Sequence, residues 1–327
     1  MAGGEFDLIR RWFARPAPAG VLGVGDDCAL LPPARGALAV STDLLLEGRH
    51  FFADVDPEAL GHKALAVNLS DLAAMGAAPT AFVLGLALPA ADDAWLEGFS
   101  RGLFALADAH GCALVGGDTT RSAGGVAISI TVFGELPPEQ ALKRAGARVG
   151  DDIWLSGQLG AADVALRLLR GEPGVAAPAQ RDALLAATRD ALERPQPRVA
   201  LGLALRGVAH AAIDISDGLL QDLGHILAAS GCGARLRVDE LPVAPALADV
   251  PPALRRRAAL GGGDVYELCF TAPPARRDLV LAAAAGTGVP VARVGVIEAA
   301  PGLRAVDDAG APVSDLPGGF DHFAERP

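Results

Sequence analysis

Apolar residues fall into short runs that end in polar clusters, and stretches with helical spacing separate one run from the next. That alternation marks a mixed α/β architecture. In the first half, ALAVSTD, TAFVLGLALP, ALVGGDTT and VAISITVFGEL read as strands. Between them, residues 57–75 and 92–110 carry apolar side chains at helical spacing, and Pro57 behind Asp56 suits a first helical turn. VAISITVFG is apolar enough to be covered on both faces. A turn-rich stretch, RAGARVGDD, then leads into a fresh strand and three helical patterns, which sets a boundary near Gly146 and gives domains 1–145 and 146–327. The second half offers strands at HAAIDIS, VYELCFTA and VARVGVIE, with helices over 218–229 and around 275–285. Residues 170–182 hold Gly and Pro between two helical patterns and read as a loop.

With 51% hydrophobic and 20% charged residues in a chain of 327, a substantial core is available. The formal net charge of −11 argues against nucleic acid or an anionic membrane surface as the main partner and favours small molecules. The four cysteines, Cys28, Cys112, Cys232 and Cys269, form no C-x-x-C pair, so neither a zinc site nor a disulfide framework is expected. No apolar run reaches signal-peptide or bilayer length, and the reading is a cytoplasmic protein with no membrane partner.

Candidate chemistry begins at GVGDDCALL, from Gly23 to Leu31. A glycine-rich turn suits an approaching phosphate, yet Asp26 and Asp27 would repel one. Further acids share the pattern. Asp27, Asp43, Asp118, Asp214 and Asp217 stand at or beside expected strand ends next to Gly, Ser or Thr, where α/β sheets border their ligand crevice. Asp71 stands instead inside an apolar helix, where an acid is partnered, metal-bound or costly. Two unit charges about 4 Å apart repel by roughly 4 kcal/mol at an effective dielectric of about 20, so converging carboxylates call for a cation. The donors are hard oxygens of Asp, Ser and Thr without interleaved His or Cys, which selects magnesium, and magnesium held this way usually keeps substrate phosphates in its remaining positions. A nucleotide follows as ligand. No G-x-x-x-x-G-K-[ST] is present, and Lys63 and Lys143 are the only lysines, which excludes a P-loop enzyme and a protein kinase. Metal ions must therefore carry most of the phosphate neutralisation, placing a cation between acid and anion in GVGDD, with Arg144 and the amides near Gly116 and Gly117 assisting.

Taken in order, GEFDLI, GVGDDCALL, STDLLLEGRHF, KALAVNLSDLAAMGA, LVGGDTTR, ISITVFG, RAGARVGD, AIDISDGLLQDLGHI, YELCF and GFDHF resemble the thiamine-monophosphate kinase family, within the aminoimidazole-ribonucleotide synthetase-like superfamily. The resemblance covers nearly the whole chain. It implies a two-domain α/β fold with mixed sheets, an N-terminal ATP- and Mg-binding domain that forms the interface of a homodimer, and a C-terminal α/β domain that completes the site. The implied reaction is transfer of the ATP γ-phosphoryl group to thiamine monophosphate by direct in-line attack, assisted by several Mg²⁺ ions, with no side chain acting as acid or base. Carried onto this chain, it makes Asp27, Ser41, Thr42, Asp43, Asp71, Asp118, Asp214 and Asp217 the metal-site residues. Gly117, Asp118, Arg144 and Ser216 become ATP contacts, and His50, Asp264 and Phe320 thiamine phosphate contacts. Where the family typically reads Gly-Gly-Glu-Asp-Tyr-Glu-Leu, this chain has GGGDVYEL, so Asp264 replaces Glu and Val265 replaces Asp. A cyclo-ligase of the same superfamily, a metal-dependent phosphatase and a nucleotide-binding protein without catalysis remain as other readings.

Overall fold

The computed structural model describes residues 5–25 and 28–320. Packing divides the chain into two units, Met1–Leu72 with Ala77–Glu139 and Ala73–Gly76 with Gln140–Pro327. The first opens with a short helix α1 (Glu5–Leu8) that runs into a π-helical turn (Ile9–Phe13). It continues through β1 (Ala37–Leu46), α2 (Pro57–Ala74), β2 (Ala78–Leu88), α3 (Asp93–Ala109), β3 (Ala113–Arg121) and β4 (Ala127–Leu136). The expected helices and strands appear here with small shifts at their ends. Asp56 accepts the Glu58 amide at 2.9 Å and sets the start of α2, while Asp92 accepts the amides of Ala94 and Trp95 and sets the start of α3.

The four strands form one sheet in the order β1-β4-β2-β3, with β2 and β3 parallel and the other neighbours antiparallel. One face is buried: Leu45, Leu84, Leu86, Ile128, Ile130 and Val132 point into a core shared with Leu65, Leu69 and Leu72 of α2. α2 is buried almost all round, consistent with its lack of a polar stripe. Among the described residues the other face stays open, with Leu38, Val40 and Leu44 at 52, 54 and 55% exposure. β4 accordingly alternates between buried and half-buried residues, so the described residues bury only one face of VAISITVFG.

Two expectations about strand ends are corrected. Asp43 lies inside β1, because the apolar alternation runs on through Leu44, Leu45 and Leu46. Asp118 lies inside β3, whose β-branched Thr119 and Thr120 extend the strand to Arg121.

The second unit contains β5 (Asp152–Ser156), α4 (Ala161–Leu169), α5 (Arg181–Glu193), α6 (Val199–Ala204), β6 (Ala211–Asp214), α7 (Leu219–Ser230), β7 (Gly233–Arg237), α8 (Pro252–Gly261), β8 (Leu268–Ala272), α9 (Arg277–Thr287), β9 (Val291–Glu298) and β10 (Gly302–Val306). Its six-stranded mixed sheet has the order β10-β7-β9-β5-β8-β6, with only β10 and β7 parallel. Ile153, Leu155, Ile213 and Cys269 pack with Leu219, Leu223 and Ile226 of α7 into the main core. β7 and β10, at the sheet's edge, escape the sequence reading because GARLR and GLRAV are short and interrupted by arginine. The expected strand VYELCFTA begins only at Leu268: Asp264 and Tyr266 adopt φ of 57° and 55°, which breaks the extended run before Glu267.

Glu267 anchors that junction. It is 6% exposed, accepts Arg198 Nε and Nη2 at 2.7 and 2.5 Å, and accepts Ser156 Oγ at 2.5 Å. A planar guanidinium on a buried carboxylate is a strong pair whose members are costly to separate. Glu267→Ala is therefore expected to lower unfolding stability by about 3 kcal/mol, read from the urea midpoint; a loss below about 1 kcal/mol would mean that the pair contributes little.

Candidate active site

In the first unit the acids meet across β1 and α2. β1 carries Ser41 and Asp43 on its buried side, and Asn68 and Asp71, three apart on α2, reach the same strand. Ser41 Oγ donates to Asp71 Oδ2, and Asn68 Oδ1 accepts the Asp43 amide at 3.1 Å. Asn68, itself 1% exposed, is fixed by donating to the Ala64 carbonyl at 3.0 Å. β1 is an edge strand, so Asn68 occupies a place that a further strand would otherwise take. Thr42 faces the open side and shares a 2.7 Å hydroxyl contact with Thr131.

Burial, and then the negative charge of Asp71, push the Asp43 carboxyl up to about 7. Two acids that raise each other's cost of ionisation bind a proton or a cation in preference to standing ionised side by side. The surrounding donors are hard oxygens, which fit Mg²⁺. His50 follows in the turn after β1. Its Nδ1 accepts the Leu46 amide at 2.9 Å, so the neutral ring carries its proton on Nε2. Its carbonyl accepts the buried Lys63 Nζ at 3.4 Å.

Asp118 is not beside this pair within the protomer. Register aligns Asp43 through Ile130 and Leu84 with Gly117, whereas Asp118 lies one row on, with Leu44, Ser129 and Gly85. Adjacent rows face opposite sides of a sheet, so the exposed Asp118 shares the open face with Thr42 and Leu44. Gly117, at φ 149°, is required where it stands, because a Cβ there would overlap the Leu84 carbonyl. Asp27, with the glycine turn's acid pair, lies outside the described residues.

In the second unit, five of the candidate residues gather around the segment that follows β6. Asp214 closes the strand and is buried; Ser216 and Asp217 come next. Their loop is shaped by Asp222 in the first turn of α7, a residue the motif reading did not single out. Asp222 Oδ2 accepts the amides of Ser216, Asp217 and Gly218, each at 3.1 Å. Burial lifts this carboxyl to about 6 even against those three donors.

A second loop is laced to the first by backbone bonds: Asp264 and Tyr266 amides donate to Ser216 and Ile215 carbonyls at 2.8 Å, and the Ile215 amide donates to Glu267 at 2.8 Å. The left-handed backbone at Asp264 and Tyr266 costs about 1–3 kcal/mol per residue and is held by these contacts. Tyr266 Oη donates to Asp264 Oδ1 at 3.1 Å. Phe320 joins from the end of the described chain, its amide donating to the Asp217 carbonyl at 3.0 Å. Arg144 is exposed beside β6, where the neighbouring Lys143 carbonyl accepts the Ala212 amide at 3.0 Å.

Among the described residues, no group of three or more His, Cys, Asp or Glu side chains gathers at metal-binding distance. The acids come together as a pair on β1 and α2 and, separately, around the loop after β6. Asn68, Asp222, Gln221, Tyr266 and Glu267 complete these arrangements. Asp71 was visible as an acid in an apolar helix, but its partner Ser41 lies elsewhere in the chain.

Residues 25–136 match the family model for AIR synthase related proteins, N-terminal domain, and residues 148–308 match the corresponding C-terminal domain. The chain is thus an enzyme of the AIR synthase-related, two-domain α/β class. It is 47% identical over 330 residues to the thiamine-monophosphate kinase of Salmonella typhimurium (strain LT2), covering 99% of each chain. The thiamine-monophosphate kinase structure from Stenotrophomonas maltophilia K279a superposes with a TM-score of 0.81 at 47% identity, covering 87% of this chain and 90% of that one. A complex described as AaThiL with AMPPCP and TMP superposes with a TM-score of 0.74 at 31% identity over 88% of this chain and 87% of that one. The chain belongs to the thiamine-monophosphate kinase family.

The Asp43 shift carries a sign. Between the ordinary carboxylate value of 3.8 and about 7, folded Asp43 holds its proton more tightly than the unfolded chain does, so metal-free stability falls as pH rises through that window. Asp43→Asn is expected to raise the metal-free Tm at pH 8 by about 2–4 °C and to remove the stabilisation by added Mg²⁺. A variant that melts below wild type and keeps the Mg²⁺ shift would contradict this.

Proposed function

We propose that this chain is a cytoplasmic homodimer that transfers the γ-phosphoryl group of ATP to thiamine monophosphate in one in-line step. The observation that carries this reading is the Asp43–Asp71 pair, a charge arrangement that suits a Mg-bound polyphosphate, found in a member of this family. The relative's complex, read as an ATP analogue beside thiamine monophosphate, supplies the two substrates by analogy. Among the described residues no helix is long and apolar enough to cross a membrane.

An oxygen of the substrate's phosphate forms the new bond to the γ-phosphorus while the bond from that phosphorus to the bridging oxygen breaks, its electron pair leaving with ADP. A phosphate monoester is largely dianionic near neutral pH, so the attacking oxygen needs no side chain to take a proton. The requirements are alignment and neutralisation of charge. Mg²⁺ held in the first unit by Asp43 and Asp71, with Asp27 and Ser41 as further ligands, supplies that neutralisation when bound, and Asp214 and Asp217 are the metal-site residues of the second unit. Ser41 orients Asp71, and Asn68 holds the Asp43 backbone. Gly117, Asp118, Arg144 and Ser216 bind the nucleotide. His50 offers Nε2–H to the acceptor phosphate, Asp264 pairs with the substrate's positive charge, and Phe320 stacks on its ring.

The homodimer accounts for the open face of the first sheet. Its open face presents Leu38, Val40 and Leu44, an apolar stripe of the kind that a partner covers. Thr42 and Asp118 share that face but sit on β1 and β3, three strand spacings or about 14 Å apart, too far to hold one ion within a protomer. Leu44→Lys, at an exposed position, is expected to give folded monomers by light scattering; an unchanged dimer would place the interface elsewhere.

Purified protein given Mg-ATP and thiamine monophosphate is expected to form thiamine diphosphate and ADP in equal amounts, with turnover reduced at least about 100-fold in Asp43→Asn. ADP released without thiamine diphosphate would leave the nucleotide site standing and overturn the acceptor assignment.

A further inference from the structure

α7 places Gln221 between two residues that the proposed function gives to different substrates. Gln221 Nε2 donates to Asp217 Oδ2 at 3.2 Å and to the Phe320 carbonyl at 3.1 Å. Phe320 in turn donates its amide to the Asp217 carbonyl at 3.0 Å. Asp217 belongs to the metal and nucleotide set, and Phe320 to the thiamine phosphate set. A primary amide has two N–H groups, and here both serve one bridge. Its orientation follows from its partners, since an amide oxygen in the same place would face a carboxylate and a carbonyl.

The next position reinforces the fit. A Cβ on Gly319 would overlap Gln221 Oε1, so the chain can bring Phe320 onto this amide only with glycine at 319. Gln221 is half-buried, and its neighbour Asp222 already fixes the backbone of Ser216, Asp217 and Gly218. The loop's main chain is thereby held independently of Gln221. What Gln221 adds is a link from the Asp217 side chain to Phe320.

We infer that Gln221 is a positioning residue that couples the two substrate sites, so that thiamine monophosphate binds more tightly once the magnesium nucleotide is in place. The inference rests on the assignment of Asp217 and Phe320 made above. A bound magnesium nucleotide fixes the Asp217 carboxylate. A fixed carboxylate holds the amide, and a held amide seats the Phe320 backbone before the thiamine ring arrives. The second ligand then meets a segment whose ordering has already been paid for. By reciprocity, thiamine monophosphate tightens nucleotide binding by the same factor. One hydrogen bond to a charged group, carried through the bridge, corresponds to a coupling of about five- to tenfold.

The test is calorimetric titration of thiamine monophosphate into the full-length protein, with and without Mg²⁺ and a non-hydrolysable ATP analogue. Wild type is expected to bind about five- to tenfold more tightly with the nucleotide present. Gln221→Met keeps the side-chain length but removes both donors, and Gly319→Ala displaces the amide from a different residue. Both are expected to reduce the enhancement to within about twofold while nucleotide affinity changes less than about twofold. Variants that keep the full enhancement would overturn the inference, as would equal weakening with and without nucleotide, the signature of a merely structural role. Wild-type protein that binds thiamine monophosphate without any enhancement overturns the coupling alone. Wild-type protein that binds no thiamine monophosphate at all overturns the substrate assignment as well.

Discussion

Two half-buried carboxylates, one on a strand and one on the helix beside it, govern the first half of this molecule. Asp43 and Asp71 repel each other, and burial removes the water that would screen them. A protein optimised only for stability would not retain such a pair. Everything around it resists relaxation: Ser41 holds Asp71 from the strand, Asn68 holds the Asp43 backbone from the helix, and Asn68 is tied back to its own helix at Ala64. The two carboxyl groups are therefore set in place before any ligand arrives, which is the condition for electrostatic stabilisation without reorganisation during the reaction.

The second unit achieves the same end with backbone bonds. Asp222 gathers three successive amides of the loop after β6, and the Asp264–Glu267 segment binds to that loop through its main chain. Left-handed Asp264 and Tyr266 are tolerable because Glu267, clamped by Arg198 and Ser156, fixes where the following strand begins. The departure from the family motif falls inside this clamped segment. The shorter Asp264 carboxylate receives the Tyr266 hydroxyl, so the substitution sits in a supported environment.

Much of this was legible in the residues. Asp71 stood out as an acid within an apolar helix, and β9 spans the apolar run VARVGVIE from end to end. Asp214 was expected to close its strand and does. Asp43 was placed at a strand end, because the polar cluster STD looks like a stop until the alternation beyond it is followed through Leu46. Asp222, Gln221 and Glu267 were not singled out, since each acts on groups that no local periodicity reveals: three amides of a preceding loop, the backbone of Phe320, and an arginine 69 residues away. The separation of Thr42 from Asp118 depends on strand order and register, which a list of motifs does not contain.

The central claim is that the Asp43–Asp71 pair is built to receive a cation that serves the phosphates. Carbon-13 NMR of Asp-labelled protein, titrated with pH and assigned through Asp43→Asn, addresses it directly. The account predicts that the Asp43 carboxyl titrates near 7 without metal and that saturating Mg²⁺ moves its midpoint below the ordinary carboxylate value of 3.8. An Asp43 that titrates near 3.8 in both conditions would contradict it.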